Sequence, residues 1–287
     1  MYLSALFAVA AGACSPASGG SGVSVVGSFY PLAWAAQQIG GAAVSVTDLT
    51  PPGVEAHDTN LNARQVATIE SADVVLLLGY LGFQPQVESA ARHATGDVVQ
   101  LTHGFTLRSS NEQGLSADPH VWLDPVLMAR MAGRIGAALQ HADPAERGRI
   151  GRGTRAVLSQ LHALDASYRH GLSSCQYSTF VATHEAFGYM AQQYGLRQLG
   201  IEGLTPEAEP SASQLRTAET AIRDGSAAPA VFYEGTADGQ RIGHSVASDL
   251  HVSALPLGTL EFEPTSGTYV TVMRHNLAEL KEGLRCG

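Results

Sequence analysis

Lysine is almost missing from this chain. Lys281 stands alone among 17 basic residues, against 26 acidic ones, for a net charge of −9 over 287 residues. With no basic stripe to neutralise phosphates, nucleic acid is excluded as a partner. Cysteine is scarce, with three residues in all. Catalytic signatures are missing as well: there is no H-E-x-x-H, no nucleophile elbow and no phosphate-binding glycine loop. No internal repeat is found. The one apolar run at the start, 1–13, is too short to cross a membrane. What remains is 45% hydrophobic, ordinary for a globular chain and too much for a disordered one.

That apolar run ends in Ala11-Gly12-Ala13-Cys14, followed by the Ser/Gly-rich stretch 15–22. Small residues before a cysteine, then a flexible run, have the form of a lipoprotein signal and tether, with lipidation expected at Cys14 and a plain cleaved signal peptide as the alternative. The segment predicts export to the periplasm or the outer face of the cytoplasmic membrane, with no membrane contact beyond the lipid. In an oxidising compartment Cys175 and the penultimate Cys286 are expected to form a disulfide, the alternative being two free thiols available to a soft metal.

From Val23 onward, short β-branched runs alternate with amphipathic stretches at helical spacing. Strands are expected over 23–27, 44–49, 74–78 and 98–101, then over 178–183, 198–201, 230–233 and 252–255. Helices are expected over 31–39, 63–71, 84–92, 186–194, 213–223 and 240–250. Alternation of this kind predicts an α/β fold of two lobes, each a four-stranded mostly parallel sheet flanked by helices. Asp143-Pro144 has the form of an N-cap with proline at the first helical position, opening a long helix to about residue 170. Gly148, Gly151 and Gly153 predict a kink or fray in its first part. The expected organisation is a signal and tether over 1–22, an N-terminal lobe over 23–142, a stiff linking helix over 143–171 and a C-terminal lobe over 172–287.

Three of the eleven histidines stand where a loop leaves an expected strand. His57 follows Pro51-Pro52-Gly53, His120 lies in Asp118-Pro119-His120-Val121-Trp122-Leu123-Asp124-Pro125, and His184 comes directly after the strand ending at Thr183. In open parallel sheets ligands bind beyond the carboxyl ends of the strands. Neutral imidazole is the commonest protein metal ligand, and three of them suit a borderline ion such as Zn²⁺. Because the imidazoles must be neutral to bind, affinity is expected to fall below about pH 6.5. The other eight histidines are expected at the surface or in structural roles, His103 being the least settled because it follows the fourth strand. Asp58 and Glu185 each adjoin one of the three and are placed to orient it. Phe29, Tyr30, Trp34 and Trp122 are expected to pack in the core or hinge, and Glu207 and Glu209 to open a helix.

These segments, together with Ser28-Phe29-Tyr30-Pro31-Leu32, Ser71-Ala72-Asp73, Thr183-His184-Glu185-Ala186-Phe187-Gly188-Tyr189 and the final helix from Tyr269 to Leu277, resemble the cluster A-I zinc and manganese solute-binding lipoproteins of ABC transporters. The resemblance implies a monomer without catalysis that holds one metal ion in the cleft through His57, His120 and His184. It also implies an ABC permease, with a metallochaperone as a further partner. In that family His at the position of His184 goes with zinc and Glu with manganese. Many relatives add an Asp just before the Tyr of the final helix, but here Thr265-Ser266-Gly267-Thr268 precedes Tyr269. The fourth position is therefore expected to fall to water or to Glu234, just past the strand 230–233, ahead of Glu261 and Glu263. Competing readings are a zinc hydrolase or lyase with a three-His and water site, a manganese carrier of the same fold, and a binder of tetrapyrrole or metal chelate.

Overall fold

A computed structural model describes residues 22–205 and 212–287. The lipidation site at Cys14, the tether up to Ser21, and Glu207 and Glu209 lie outside these residues. Two four-stranded parallel sheets organise the chain. The first is β1 (Val23–Gly27), β2 (Val44–Asp48), β3 (Val74–Leu77) and β4 (Asp97–Gln100), in the spatial order β2-β1-β3-β4. The second is β5 (Thr179–Ala182), β6 (Arg197–Gly200), β7 (Ala230–Tyr233) and β8 (Ser253–Pro256), in the order β6-β5-β7-β8. Each order reverses beside its first strand, which opens a crevice past the carboxyl ends of β1 and β3 and of β5 and β7.

Helices α1 (Tyr30–Gly40), α2 (Ala63–Ser71) and α3 (Pro85–Ala91) cover the first sheet, and α6 (Gly188–Gln193), α7 (Ala212–Arg223) and α8 (Ala237–Leu250) the second. Between them run α4 (Pro125–Ala142) and α5 (Arg147–Gly171), and α9 (Tyr269–Leu284) closes the chain. Burial on both faces explains why the central strands are apolar throughout: β3 reads Val-Val-Leu-Leu, and every one of its residues is buried. Separate apolar clusters fill the outer faces, around Ile69 and Val75 in one sheet and Val181 and Val231 in the other. The inner faces share one cluster that passes from Ile39 through Leu161 and Tyr168 to Met273 and Phe232. Each such side chain contributes ~1.5–3 kcal/mol.

The expected helix start at Asp143-Pro144 is displaced. The Asp143 carboxylate accepts from the backbone N–H of Ala145 and Glu146 at 3.0 and 3.2 Å, making a local turn, and α5 begins at Arg147. Nor do the glycines interrupt α5, which is continuous over 25 residues. Gly153 instead permits a close approach: a Cβ there would lie 2.1 Å from the Ile39 carbonyl oxygen of α1. Cys175 and Cys286 are joined in a disulfide. The chain end is held to the segment after α5 by the N–H of Gln176 and Tyr177, which donate to the carbonyls of Arg285 and Leu284.

Candidate metal centre

His57 stands on a loop whose Pro-Pro-Gly turn needs the left-handed backbone of Gly53 (φ 77°). The buried Gln84 amide donates at 3.0 Å both to the Ala56 carbonyl and to the Ser28 carbonyl just past β1, pinning this loop to the first sheet. His120 is fully buried, and its backbone N–H and Nδ1 both face Asp118 Oδ1, at 3.0 and 2.9 Å. In the neutral ring, a proton on Nδ1 satisfies that carboxylate and leaves the Nε2 lone pair pointing into the cleft. His184 follows β5 directly, is 1% exposed, and is fixed through its carbonyl by the Gln198 amide at 2.7 Å.

The three imidazoles meet around one carboxylate. Nε2 of His120 and Nε2 of His184 are 3.0 Å apart, and Glu261 Oε1 lies 3.6 and 3.9 Å from them. Glu261 Oε2 is 3.6 Å from Nε2 of His57 and accepts the Ala56 N–H at 3.0 Å. His120, His184 and Glu261 form the tight group. His57 stands at its edge, its Nε2 also 2.9 Å from Glu55, and the His57 and His184 rings are stacked with centroids 6.4 Å apart.

Glu261 is placed by long-range contacts. The Asn276 side chain on α9 brackets Gly258 with two 2.8 Å hydrogen bonds. Trp122 Nε1 donates to the Thr259 carbonyl at 2.7 Å. Between these anchors and Glu261, Leu260 is held at φ 60°, a strained conformation for a side-chain-bearing residue.

Electrostatics favour a cation here. Burial opposes charge on His120, but Asp118 and Glu261 outweigh it and push the imidazole up to about 9. For His57 burial is likewise overcome, by Glu55, Glu261 and Asp58, again to about 9. His184 goes the other way, down to about 3, through burial and then the charge of His120. Burial raises Glu261, yet His120, 3.6 Å away, and the neighbouring imidazoles hold it down at about 2. A protonated His120 thus faces a neutral His184, nitrogen to nitrogen. Both ring nitrogens of His57, Nδ1 of His184 and Oε1 of Glu261 are buried without a hydrogen-bond partner. Of these, Nε2 of His57 and Oε1 of Glu261 face the meeting point, where with Nε2 of His120 and of His184 they fit a divalent ion with nitrogen and oxygen ligands.

Glu234, preferred from its strand position, stands behind His184, with its Oε2 3.7 Å from Nδ1 and its Oε1 accepting from the Thr259 hydroxyl. Burial, then the charges of Glu55 and Glu261, raise its pKa well above the carboxylate range, and it lies on the Nδ1 side of His184, away from the Nε2 cluster. Glu263 is exposed. Asp58 Oδ1 is 3.3 Å from His57 Nδ1 without hydrogen-bond alignment, and Glu185 packs over Gly200. The orienting carboxylate is Asp118 instead, legible in hindsight from its place two residues before His120. His103 and the other seven remaining histidines are all exposed. Phe29, Tyr30, Trp34 and Trp122 are buried in the core, as expected.

Residues 25–283 match the family described as zinc-uptake complex component A, periplasmic. The zinc-binding lipoprotein AdcA of Streptococcus pneumoniae is 31% identical over 300 residues, covering 98% of this chain and 59% of its own length. The chain therefore spans about three fifths of that relative. The high-affinity zinc uptake system protein ZnuA of Bacillus subtilis is 29% identical over 286 residues, covering 93% of this chain and 89% of its own. The crystal structure of the Zn(II)-bound ZnuA-like domain of Streptococcus pneumoniae AdcA superimposes with a TM-score of 0.77 at 27% identity, over 92% of this chain and 99% of that one. Among the described residues no helix is long and apolar enough to cross a membrane. Its two parallel sheets, its helices and nearly its whole length agree with these relatives, and the chain belongs to the family of periplasmic zinc-uptake components.

Proposed function

We propose that the protein captures one Zn²⁺ ion outside the cytoplasm through Nε2 of His57, His120 and His184 and the carboxylate of Glu261, and delivers it to an ABC permease. Lipidation at Cys14 would hold this monomeric carrier at the membrane surface. The observation that supports the reading is the convergence of Nε2 of His120, Nε2 of His184 and the Glu261 carboxylate on one buried point, with Nε2 of His57 at its edge. Zinc, borderline in softness and content with four nitrogen and oxygen ligands, suits that donor set better than harder ions, which prefer more oxygen. The zinc-binding name of the pneumococcal relative and the zinc-bound crystal structure of its domain support the same cargo.

The chain's own chemistry makes the capture reversible. An arriving ion displaces the protons on His57 and His120, Glu261 neutralises one of its charges, and Asp118 keeps Nε2 of His120 aimed at it. Metal content and competitive zinc affinity of the purified exported portion, beside His184→Ala, test the reading. One tightly held zinc per chain, lost in the variant, is expected. Binding indifferent to His184 would overturn it.

A further inference from the structure

Segment 108–118 is closed at its neck and seated against the other half of the chain. The Asp118 N–H donates to the Arg108 carbonyl at 3.0 Å, and the Tyr189 hydroxyl bridges the two, accepting from Arg108 N–H at 2.9 Å and donating to the Asp118 carbonyl at 2.8 Å. The Arg108 guanidinium then reaches both ways. Its Nε donates to Asp118 Oδ2 at 3.2 Å and its Nη1 to the Gln192 amide oxygen at 3.3 Å. Tyr189 and Gln192 both lie on α6, which begins four residues after His184. Gly188 at the start of α6 leaves the space: a Cβ there would meet the guanidinium at 2.6–2.9 Å.

Asp118 is therefore held by one oxygen to Arg108 and by the other to the His120 imidazole. We infer that Arg108 is a positioning residue, acting through Asp118 to keep His120 aimed at the metal and so setting how long the ion is held. The inference rests on the zinc-carrier reading. The geometry makes retention depend on α6 staying seated: movement of α6 withdraws Gln192 and Tyr189, frees Arg108, and lets the Asp118 carboxylate turn away from His120. Arg108 is the accessible end of this chain of contacts, its side chain 37% exposed while that of Asp118 is 3% exposed. Lysine would keep the charge but not the two-way fork.

The test is stopped-flow release of Zn²⁺ to a chelator from the purified protein, with the visible spectrum of the Co²⁺-loaded form as a report on ligand geometry. Two variants are used: Arg108→Gln removes the charge and the two-way fork, while Gly188→Ala keeps the arginine and displaces it from a helical position that tolerates alanine. Both are expected to retain one zinc per chain, to release it about tenfold faster, the lower end of the effect of losing an outer-sphere partner, and to shift the cobalt bands. Arg108→Lys is expected to recover only part of the slow release. Wild-type release and an unchanged cobalt spectrum in whichever variants fold would overturn the inference and leave the carrier reading intact. A wild-type protein that takes no zinc, or takes it independently of His184, would overturn both.

Discussion

The carboxylates around His57 and His120 outweigh burial and push both imidazoles up to about 9, well above the ordinary value. Zinc must expel both protons, so its apparent affinity begins to fall as the pH drops through 9 and not through 6.5. Below that point the loss is roughly a hundredfold per pH unit, tenfold for each proton. Zinc titration calorimetry at pH 7.5 in buffers of different ionisation enthalpy is expected to show about two protons released; none released would contradict the proton-filled site. The same raised values stabilise the metal-free protein below about pH 6.5, and that contribution is lost as pH rises through 9. Carboxylate choice is tested separately. Glu261→Gln keeps an acceptor for the Ala56 N–H but removes the charge, and is expected to weaken zinc by a hundredfold or more, about 3 kcal/mol, the scale of stripping a buried cation of its partner. Glu234→Gln, a change on the Nδ1 side of His184 and outside the Nε2 cluster, is expected to leave affinity close to wild type.

At the scale of elements, glycines in α5 separate propensity from packing. Gly148→Ala meets only the end of the Arg152 side chain, 3.8 Å away, so helix propensity decides and the change is expected to stabilise by about 0.5–1 kcal/mol. Gly153→Ala gains the same propensity but drives a methyl into the Ile39 carbonyl, and is expected to destabilise by about 1–3 kcal/mol. Urea unfolding midpoints moving in opposite directions would bear this out; two increases would show that α1 and α5 can part at no cost. Strands and most helices were legible because period and β-branching act locally: Val23–Gly27 and Ala230–Tyr233 fall where the sequence places them. The sequence around Gly153 predicts a break because the tertiary contact with α1 at Ile39 that this glycine serves is invisible to local pattern.

Across the whole molecule, the proximity of the three histidines was legible because each follows a strand end or lies in a proline-stiffened loop. Glu261 was not, because the residue it braces, Ala56, lies 205 positions away and its loop is fixed only by Trp122 and Asn276. Asp118 is hidden from local pattern for a different reason: adjacency points to Asp58 and Glu185, while the backbone turn at Pro119 aims Asp118 at the His120 ring. The shared core running through α5 and α9 argues for a small motion on capture, so the small-angle scattering radius is expected to stay unchanged on adding zinc; a clear contraction would contradict it. Loss of the Cys175–Cys286 link in Cys286→Ser is expected to cost about 3 kcal/mol, or roughly 10 °C in Tm, while zinc stoichiometry persists because Asn276 still holds the Glu261 loop. The most direct test of the central claim is X-ray absorption at the zinc edge on singly loaded wild-type protein beside Glu261→Gln. Four nitrogen and oxygen neighbours at about 2.0–2.1 Å, with outer-shell scattering from three imidazoles and an altered first shell in the variant, are expected. Sulfur neighbours, fewer than three imidazoles, or a spectrum indifferent to Glu261 would contradict it.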